Sequence, residues 1–193
     1  MERALFTDDK IVIFDLEFTD SNEGLPEIFE IGAIKVDRSL NVLSTYDTLV
    51  KPTYLDKFTL YNTELSSINR EDLESCGSWQ DVWRSFAAFT HFQHLRLCSW
   101  NAPSDISVLR QAYSSIHIGF PHNYMCIEAA TVFDTGAAFL GYSKQSNSLD
   151  KLAKDFLGKE QVHRALKDCY LILGLFNFLL QEETDCSFNL LEF

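Results

Sequence analysis

The chain has 193 residues, of which 46% are hydrophobic and 13% aromatic, and its formal net charge is −12 at neutral pH. This composition excludes an intrinsically disordered chain, and the length suits one domain with a substantial core. The negative charge argues against a broad basic surface that grips long nucleic acid through many phosphates. It does not exclude a small site that meets phosphate through bound cations.

Compartment and membrane contact are predicted from what the sequence lacks. The five cysteines are odd in number and never form Cys-x-x-Cys, so buried free thiols are expected. No apolar run approaches the length that crosses a bilayer, and the N-terminus lacks the pattern of a signal peptide. These features predict a cytoplasmic protein without membrane contact.

The first 52 residues predict an antiparallel meander of three strands. Residues 11–18, IVIFDLEF, form a β-branched and aromatic run, and residues 27–37 alternate in polarity like a second strand. Residues 41–52 look like a third strand that ends at Pro52. These segments would begin a sheet.

The tripeptide Asp-Leu-Glu occurs twice, and its two contexts differ. Asp15 and Glu17 end an apolar strand-like run, where residues two apart point to the same face. Burying two like charges is unfavourable unless a cation lies between them, and Mg²⁺ and Mn²⁺ prefer carboxylate oxygens. The alternative is a strand end that protrudes into solvent. Asp72 and Glu74 lie in a polar segment and are expected to be surface charges on a solvated helix turn.

Helix-like and strand-like segments alternate after the meander. Residues 78–92 begin at Ser78, an expected N-cap, and place large apolar residues on one face, which predicts a core helix rather than a nucleic-acid platform. Two further strands and four further helical segments are expected at residues 95–100, 102–113, 124–129, 131–141, 148–158 and 161–183, with Gly141 and Gly158 as helix C-caps.

This order of elements predicts an α/β fold with a mixed sheet of about five strands. One domain is expected over residues 1–183. Residues 184–193 form a tail with four large apolar residues near its end, and this tail docks on the body, binds a protein partner or is loose.

Two further groups of polar residues raise the weight of the metal-site interpretation. His163, Ala165 and Asp168 follow a spacing that is rare by chance, on what looks like one helix. Asn101 and Asp105 lie at a predicted strand-to-helix junction. Sites in α/β sheets are usually built at the carboxyl ends of strands.

The segments FDLEFT, WNAPSDISVL and HRALKDC, in this order, resemble the three motifs of the DEDDh 3′–5′ exonucleases, which are DnaQ-like and have an RNase H-like fold. The resemblance covers roughly residues 8–180. The segments PEIFEIGAIKVD and SLDKLAKDFLG look most like the ERI-1 and KapD-like branch. Two departures from the branch are Ser67, where Gly is usual, and Ser104, where an aromatic residue commonly precedes the acid of the second motif.

The resemblance implies hydrolysis of single-stranded RNA or DNA from the 3′ end, with two Mg²⁺ or Mn²⁺ ions and release of nucleoside monophosphates. By resemblance, Asp15 would bridge both cations, Glu17 and Asp168 would complete one cation site, and Asp105 would contribute to the second. His163 would be the general base that takes a proton from the attacking water, because imidazole as a side-chain type titrates near neutral pH.

The same resemblance places four residues around the 3′-terminal nucleotide, namely Phe18, Thr19, Leu65 and Asn101. The ring of Phe18 can stack on a base without reading its identity, and a purely structural position in the core is an equal alternative. Asn101 either contacts the substrate or caps a turn. A function of a different class also stays open, a binding or scaffolding module on the same fold, although all four acids and His163 are present.

Overall fold

The computed structural model describes residues 10–19, 25–90, 96–115, 131–143, 146, 148–181 and 190–192. These residues contain six strands: β1 (Lys10–Phe18), β2 (Ile28–Asp37), β3 (Val42–Leu49), β4 (Arg96–Ser99), β5 (Thr131–Asp134) and β6 (Leu190–Glu192). The strands form one sheet in the order β3-β2-β1-β4-β5-β6. The pairs of β1 with β2, β2 with β3 and β5 with β6 are antiparallel, whereas β4 runs parallel to both β1 and β5.

Helices surround this sheet. They are α1 (Leu60–Ser66), α2 (Arg70–Glu74), α3 (Trp79–Thr90), α4 (Ala102–Ser115), α5 (Thr135–Ser143), α6 (Leu149–Leu152) and α7 (Ala165–Gln181). A short 3₁₀ turn at Leu55–Lys57 precedes α1, and a π-helical turn at Ala153–Leu157 follows α6. The predicted α/β fold with an initial antiparallel meander is confirmed. The sheet has six strands in the described residues instead of about five.

The two faces of β1 pack into two separate cores. Val12 and Phe14 face one core, which also contains Trp83 and Phe86 of α3. Ile13, on the opposite face, packs into a second core together with apolar residues of α7 such as Ile172 and Leu175. Alternation with a period of two therefore buries both faces of β1 and makes it the central strand. The prediction that the α3 aromatics are core residues is confirmed.

The segment 131–141 was expected to be helical throughout, and this is wrong for its first four residues. Val132 and Phe133 are buried in β5, and α5 begins only at Thr135. The β-branched and aromatic residues that open this segment suit a central strand better than a helix. The strand expected at residues 124–129 lies outside the described residues.

Of the two glycines that were expected to be helix C-caps, one has this role and the other does not. Gly158 has a φ of +64° and ends the π-helical turn, as a left-handed C-cap does. Gly141 lies inside α5 and is not a C-cap, so that expectation is wrong. Ser67, at the position where the branch usually has Gly, has a φ of +59° and caps α1 in the left-handed region. This conformation explains the usual glycine there.

Ser78 precedes α3 as predicted, but its bonding is inverted. Its carbonyl accepts the N–H groups of Asp81 and Val82, while its hydroxyl and its N–H both donate to the Asp81 carboxylate. Asp81 therefore supplies the reciprocal half of a capping box.

In the tail, residues 190–192 form β6 against β5. No helix among the described residues is long and apolar enough to span a membrane.

Candidate active site

The first acidic pair lies near the carboxyl end of the central strand. Asp15 and Glu17 are both partly buried on β1, and in the antiparallel pairing they lie opposite Gly32 and Glu30 of β2. They share a strand face with Ile13, which contacts the α7 core. The prediction that both carboxylates project from one side of a central strand is confirmed.

The third acid comes from the helix that follows β4. Asp105 is only 5% exposed and lies in the first turn of α4, whose N-terminal N–H groups at Ser104 and Asp105 donate to the carbonyl of Asn101. Burial raises the pKa of Asp105 to about 7, although hydrogen bonds from Ser99 and the Asn101 backbone oppose this shift. The strand-to-helix junction therefore carries a buried carboxyl group, and the charge of Asp105 has the largest effect of any charge on the pKa of Asp15 of β1.

The fourth acid and the histidine come from the region before and within α7. Asp168 is fully buried in the first turn of this helix, and Gln161 Nε2 donates to its Oδ2 at 2.6 Å. His163 was expected on the same helix, but α7 begins only at Ala165 and His163 has a φ of +49°. The expectation of one helix from residue 161 is therefore wrong. A left-handed residue ends the extended segment and turns the chain into α7.

The carboxyl groups repel one another strongly. Burial raises the pKa of Asp15 well above its usual range, and the charges of Asp105, Glu17 and Asp168 raise it further, in this order. Burial also raises the pKa of Glu17 to about 8, with Asp168 as the next largest cause. Acids from β1, α4 and α7 thus form one electrostatic cluster. Such a cluster of like charges requires protons or cations to be stable.

The donor atoms of this cluster fit divalent cations. Glu17, His163 and Asp168 each offer one ligand atom, and these three atoms lie within 4.8 Å of one another. Asp168 Oδ1 is buried and has no hydrogen-bond partner among the described residues. Carboxylate oxygens suit Mg²⁺ and Mn²⁺, and a buried oxygen without a donor is costly unless it is coordinated. The residues at this site therefore suit the cations that the motifs imply.

Two acidic residues that the sequence interpretation missed bind the helices that carry the acids of the cluster. Glu30 is 1% exposed and accepts hydrogen bonds from Arg164 Nε at 2.8 Å and from the Ala165 N–H at 3.1 Å. The signal for Glu30 was a charge between the apolar residues Phe29 and Ile31 in the first half of a predicted strand.

Asp134 is the other missed acid, and it joins two helix N-termini. Its Oδ1 accepts the Ala137 N–H at 2.7 Å, so it is the N-cap of α5. Burial raises its pKa, and backbone hydrogen bonds from Ala137, Gly136 and Ala102 oppose the shift. Since Ala102 opens the helix that carries Asp105, Asp134 ties α4 to the end of β5. Asp134, directly before Thr135, was the N-cap signal of α5, and the helix expected over 131–141 concealed it.

The four expected nucleotide contacts lie in different environments. Phe18 is partly buried against the core that contains α3, and Leu65 is partly buried on α1. Thr19 is fully buried, and its Oγ1 accepts the Glu27 N–H at 3.0 Å. Asn101 is exposed and caps α4 through its carbonyl. Only Asn101 among them lines the same cavity as Asp15.

That cavity has a volume of about 410 Å³ and is also lined by Trp100, Asp134 and Gln161. A larger cavity of about 550 Å³ lies elsewhere, between the loop after β1, α3 and α4, and includes Tyr54, Trp79 and Gln111 but none of the clustered acids. The chemistry of the side chains, and not cavity size, therefore locates the candidate active site.

The second acidic pair, Asp72 and Glu74, differs from the first in its exposure to solvent. Asp72 and Glu74 are exposed on α2. Asp72 Oδ2 accepts the Asn69 N–H at 2.9 Å and completes a capping box at the start of α2. The prediction that these two are surface charges is confirmed, and Asp72 has a local structural role.

Comparison with known proteins agrees with this geometry. The family model described as "Exonuclease", of the RNase T type, matches residues 12–176. A segment of the PolC-type DNA polymerase III of Thermotoga maritima is 28% identical over 173 residues, and that of Pediococcus pentosaceus is 27% identical over 172 residues. The matches cover 90% and 85% of this chain but only 12% and 11% of those polymerases.

Solved structures share the fold at low sequence identity. The nuclease domain of 3′hExo, a DEDDh family member bound to rAMP, has a TM-score of 0.75 at 16% identity, covering 94% of this chain and 96% of that domain. Cell-death related nuclease 4 has a TM-score of 0.76 at 12% identity and covers 94% and 67%. Exonuclease X in complex with 5′ overhanging duplex DNA has a TM-score of 0.65 at 17% identity and covers 90% and 92%.

Proposed function

The chain belongs to the exonuclease family that matches most of its length, and we propose that it is a metal-dependent 3′–5′ exonuclease of the DEDDh type that acts on single-stranded RNA or DNA. The observation that carries this proposal is the convergence of four acids and one histidine from three separate parts of the chain. Each of the three sequence motifs contributes to the cluster, and no motif is left elsewhere on the surface.

In this proposal Asp15, Glu17, Asp105 and Asp168 hold two divalent cations, Mg²⁺ or Mn²⁺. When bound, such a pair lowers the pKa of a water and stabilises the charge that develops on the attacking and leaving oxygens. Glu17 and Asp168, whose ligand atoms lie within 4.8 Å of each other, would share one of these ions. Gln161 orients Asp168 by donating to one of its two oxygens, which leaves the other for coordination.

His163 is the proposed general base. One of its ring nitrogens lies within 4.8 Å of ligand atoms of Glu17 and Asp168, so a water held by these acids would lie within reach of the imidazole. In this role His163 would accept the proton of the attacking water, which is the commonest use of a histidine in acid–base catalysis. His163, with its left-handed φ of +49°, precedes α7 and still brings a ring nitrogen within 4.8 Å of ligand atoms of Glu17 and Asp168.

The proposed substrate is a nucleic-acid 3′ end that is single-stranded or frayed. The structural relatives include a 3′-exonuclease that recognises a histone mRNA stem-loop, a nuclease bound to rAMP and an exonuclease bound to overhanging DNA. The net charge of −12 favours short or single-stranded substrates, because a long duplex would be repelled along the rest of the acidic surface.

The test is degradation of matched single-stranded RNA and DNA oligonucleotides labelled at the 5′ end, with Mg²⁺ or Mn²⁺. We expect a ladder that shortens from the 3′ end and is lost when EDTA is added. A parallel set labelled at the 3′ end should release labelled nucleoside monophosphate from the first turnover. Comparison of the two ladders then gives the sugar preference.

The matched variants are Asp15→Asn and Glu74→Gln, since each removes one carboxylate charge without changing side-chain size. The first should abolish the ladder and the second should leave it intact. Folded wild-type protein that cleaves neither strand with either metal, but retains oligonucleotides in a filter-binding assay, would replace this proposal with the binding-module alternative. Shortening from the 5′ end would overturn the proposed polarity while keeping the exonuclease assignment.

A further inference from the structure

Glu30 presents a buried charge for which the proposed chemistry has no direct use. It lies directly opposite Glu17 on β2, and side chains of such partners point to the same face of the sheet. Its charge is among the causes that raise the pKa of Glu17. A further carboxylate beside the four clustered acids increases repulsion, so its presence requires a compensating role.

The partners of Glu30 lie in the segment that carries the proposed base. Arg164 Nε donates to Glu30 Oε1 and the Ala165 N–H donates to Glu30 Oε2, so both carboxylate oxygens are occupied. Arg164 directly follows His163, and Ala165 is the first residue of α7. One buried side chain of β2 thus binds the two residues after the histidine and caps the helix that carries Asp168.

Residues on both sides of His163 form hydrogen bonds to buried carboxyl groups, through the side chains of Gln161 and Arg164 and the backbone N–H of Ala165. Before it, Gln161 is bonded to Asp168, and after it, Arg164 and Ala165 are bonded to Glu30. A non-glycine residue in the left-handed region is strained and persists only when its surroundings determine it. These contacts lie on both sides of His163, whose φ is +49°.

A glycine on β2 allows the start of α7 to pack closely against this strand. A Cβ added at Gly32 would collide with the backbone of Ala165 and Leu166, so only glycine lets the start of α7 lie this close to β2. Gly32 lies opposite Asp15, and Glu30 lies opposite Glu17. The same two positions of β2 therefore fix the distance between the helix start and the acids of β1.

We propose that Glu30 and Arg164 are positioning residues for the proposed base, and that the ion pair between buried Glu30 and half-buried Arg164 holds the His163 imidazole beside Glu17 and Asp168. This inference rests on the proposed function, because it presumes that His163 accepts the proton of the attacking water. Neither residue contacts the substrate. The pair acts by fixing the backbone on which His163 is mounted.

The test is a double-mutant cycle with Glu30→Gln and His163→Ala, measured as single-turnover cleavage of a 5′-labelled single-stranded oligonucleotide in Mn²⁺. Glu30→Gln should lower the cleavage rate by about tenfold or more, as loss of residues behind a metal site usually does, with KM within about twofold. In the His163→Ala background the same change should alter the rate by less than about twofold, because the base is already absent. Mn²⁺ affinity should stay close to that of wild type.

Two controls separate positioning from a general loss of structure. Glu160→Gln removes the exposed partner of Lys154, four residues before Arg164, and should leave the rate unchanged. Arg164→Lys keeps the buried charge balanced but loses the planar guanidinium, and it should repeat the rate loss of Glu30→Gln. If circular dichroism shows that Glu30→Gln is unfolded, the Arg164→Lys cycle decides the question.

An equal rate loss in the presence and absence of His163 would overturn the inference, because the pair would then act through something other than the base. Full activity of folded Glu30→Gln and Arg164→Lys would overturn it too. Both outcomes leave the proposed function intact as long as His163→Ala alone lowers the rate by about a hundredfold or more. If His163→Ala is as active as wild type, the assignment of the base fails, and this inference fails with it.

Discussion

The same tripeptide, Asp-Leu-Glu, has opposite properties in two regions of this molecule. Asp15 and Glu17 lie on a central strand among other buried acids, and burial raises the pKa of Glu17 to about 8. Asp72 and Glu74 lie on a short exposed helix, where Asp72 caps the first turn. The comparison shows that the surroundings of a carboxyl group, and not the motif itself, decide whether it can serve a metal site.

The largest difference between the two regions should appear in catalysis. Glu17→Gln should reduce exonuclease activity by about a thousandfold or more, because residues that act as one catalytic unit lose most of their function together. Glu74→Gln makes the same chemical change at the other tripeptide and should keep activity within about twofold. Initial rates on a 5′-labelled oligonucleotide measure both. Equal losses of activity in both variants would show that the two tripeptides do not differ in catalytic role.

A second difference between the two regions is His163, which lies beside Glu17, whereas no histidine of the described residues accompanies the second tripeptide. His163→Ala should lower the rate between about a hundredfold and about ten thousandfold, the range for loss of a general base. Mn²⁺ affinity, measured by calorimetry, should be nearly unchanged. A parallel loss of Mn²⁺ affinity would instead assign His163 as a metal ligand, which its distance from Glu17 and Asp168 also permits.

Folding stability without metal should depend on pH through the first region. The pKa of Glu17 rises from 4.5 to about 8 on folding and that of Asp105 from 3.8 to about 7. A group with a raised pKa stabilises the folded state fully below its unfolded value and loses this contribution as pH rises through the folded value. In EDTA, the free energy of unfolding in urea should therefore fall between about pH 4.5 and pH 8.

A pair of variants and the addition of Mn²⁺ test whether the acid cluster causes this pH dependence of stability. Asp105→Asn should flatten the fall, whereas Glu74→Gln, which changes net charge equally, should not. Mn²⁺ at about 100 times its Kd should restore about 2.7 kcal/mol at pH 8, as expected for a ligand that binds only the folded state. A stability that rises from pH 5 to pH 8 in EDTA would contradict the description of the cluster.

The smallest effect is expected at the second tripeptide and concerns stability alone. Asp72→Ala removes the side chain that accepts the Asn69 N–H, so it should destabilise the protein by about 1 kcal/mol, the usual cost of a lost cap. The rate of cleavage should be unchanged. Urea unfolding and initial rates on the same preparation measure both, and a rate loss without a loss of stability would show that Asp72 has a catalytic role.

The sequence was informative where local pattern and chemistry coincide. An apolar run before Asp15 and Glu17 predicted a central strand, and the three motifs predicted which acids would meet. His163 was misplaced because the helix-like pattern of residues 161–183 is continuous, and nothing in it reveals a left-handed residue before Ala165. Glu30 was missed because its partner is 134 positions away, a contact that no local pattern shows.

The most direct test of the central claim is a Mn²⁺ titration of two matched double variants, Asp15→Asn with Glu17→Gln and Asp72→Asn with Glu74→Gln. Both lose two carboxylate charges from the same tripeptide, so non-specific attraction of cations changes equally. The account predicts wild-type Mn²⁺ binding in the second variant and loss of tight binding in the first. Equal binding by both folded variants would contradict the assignment of the buried tripeptide as the metal site.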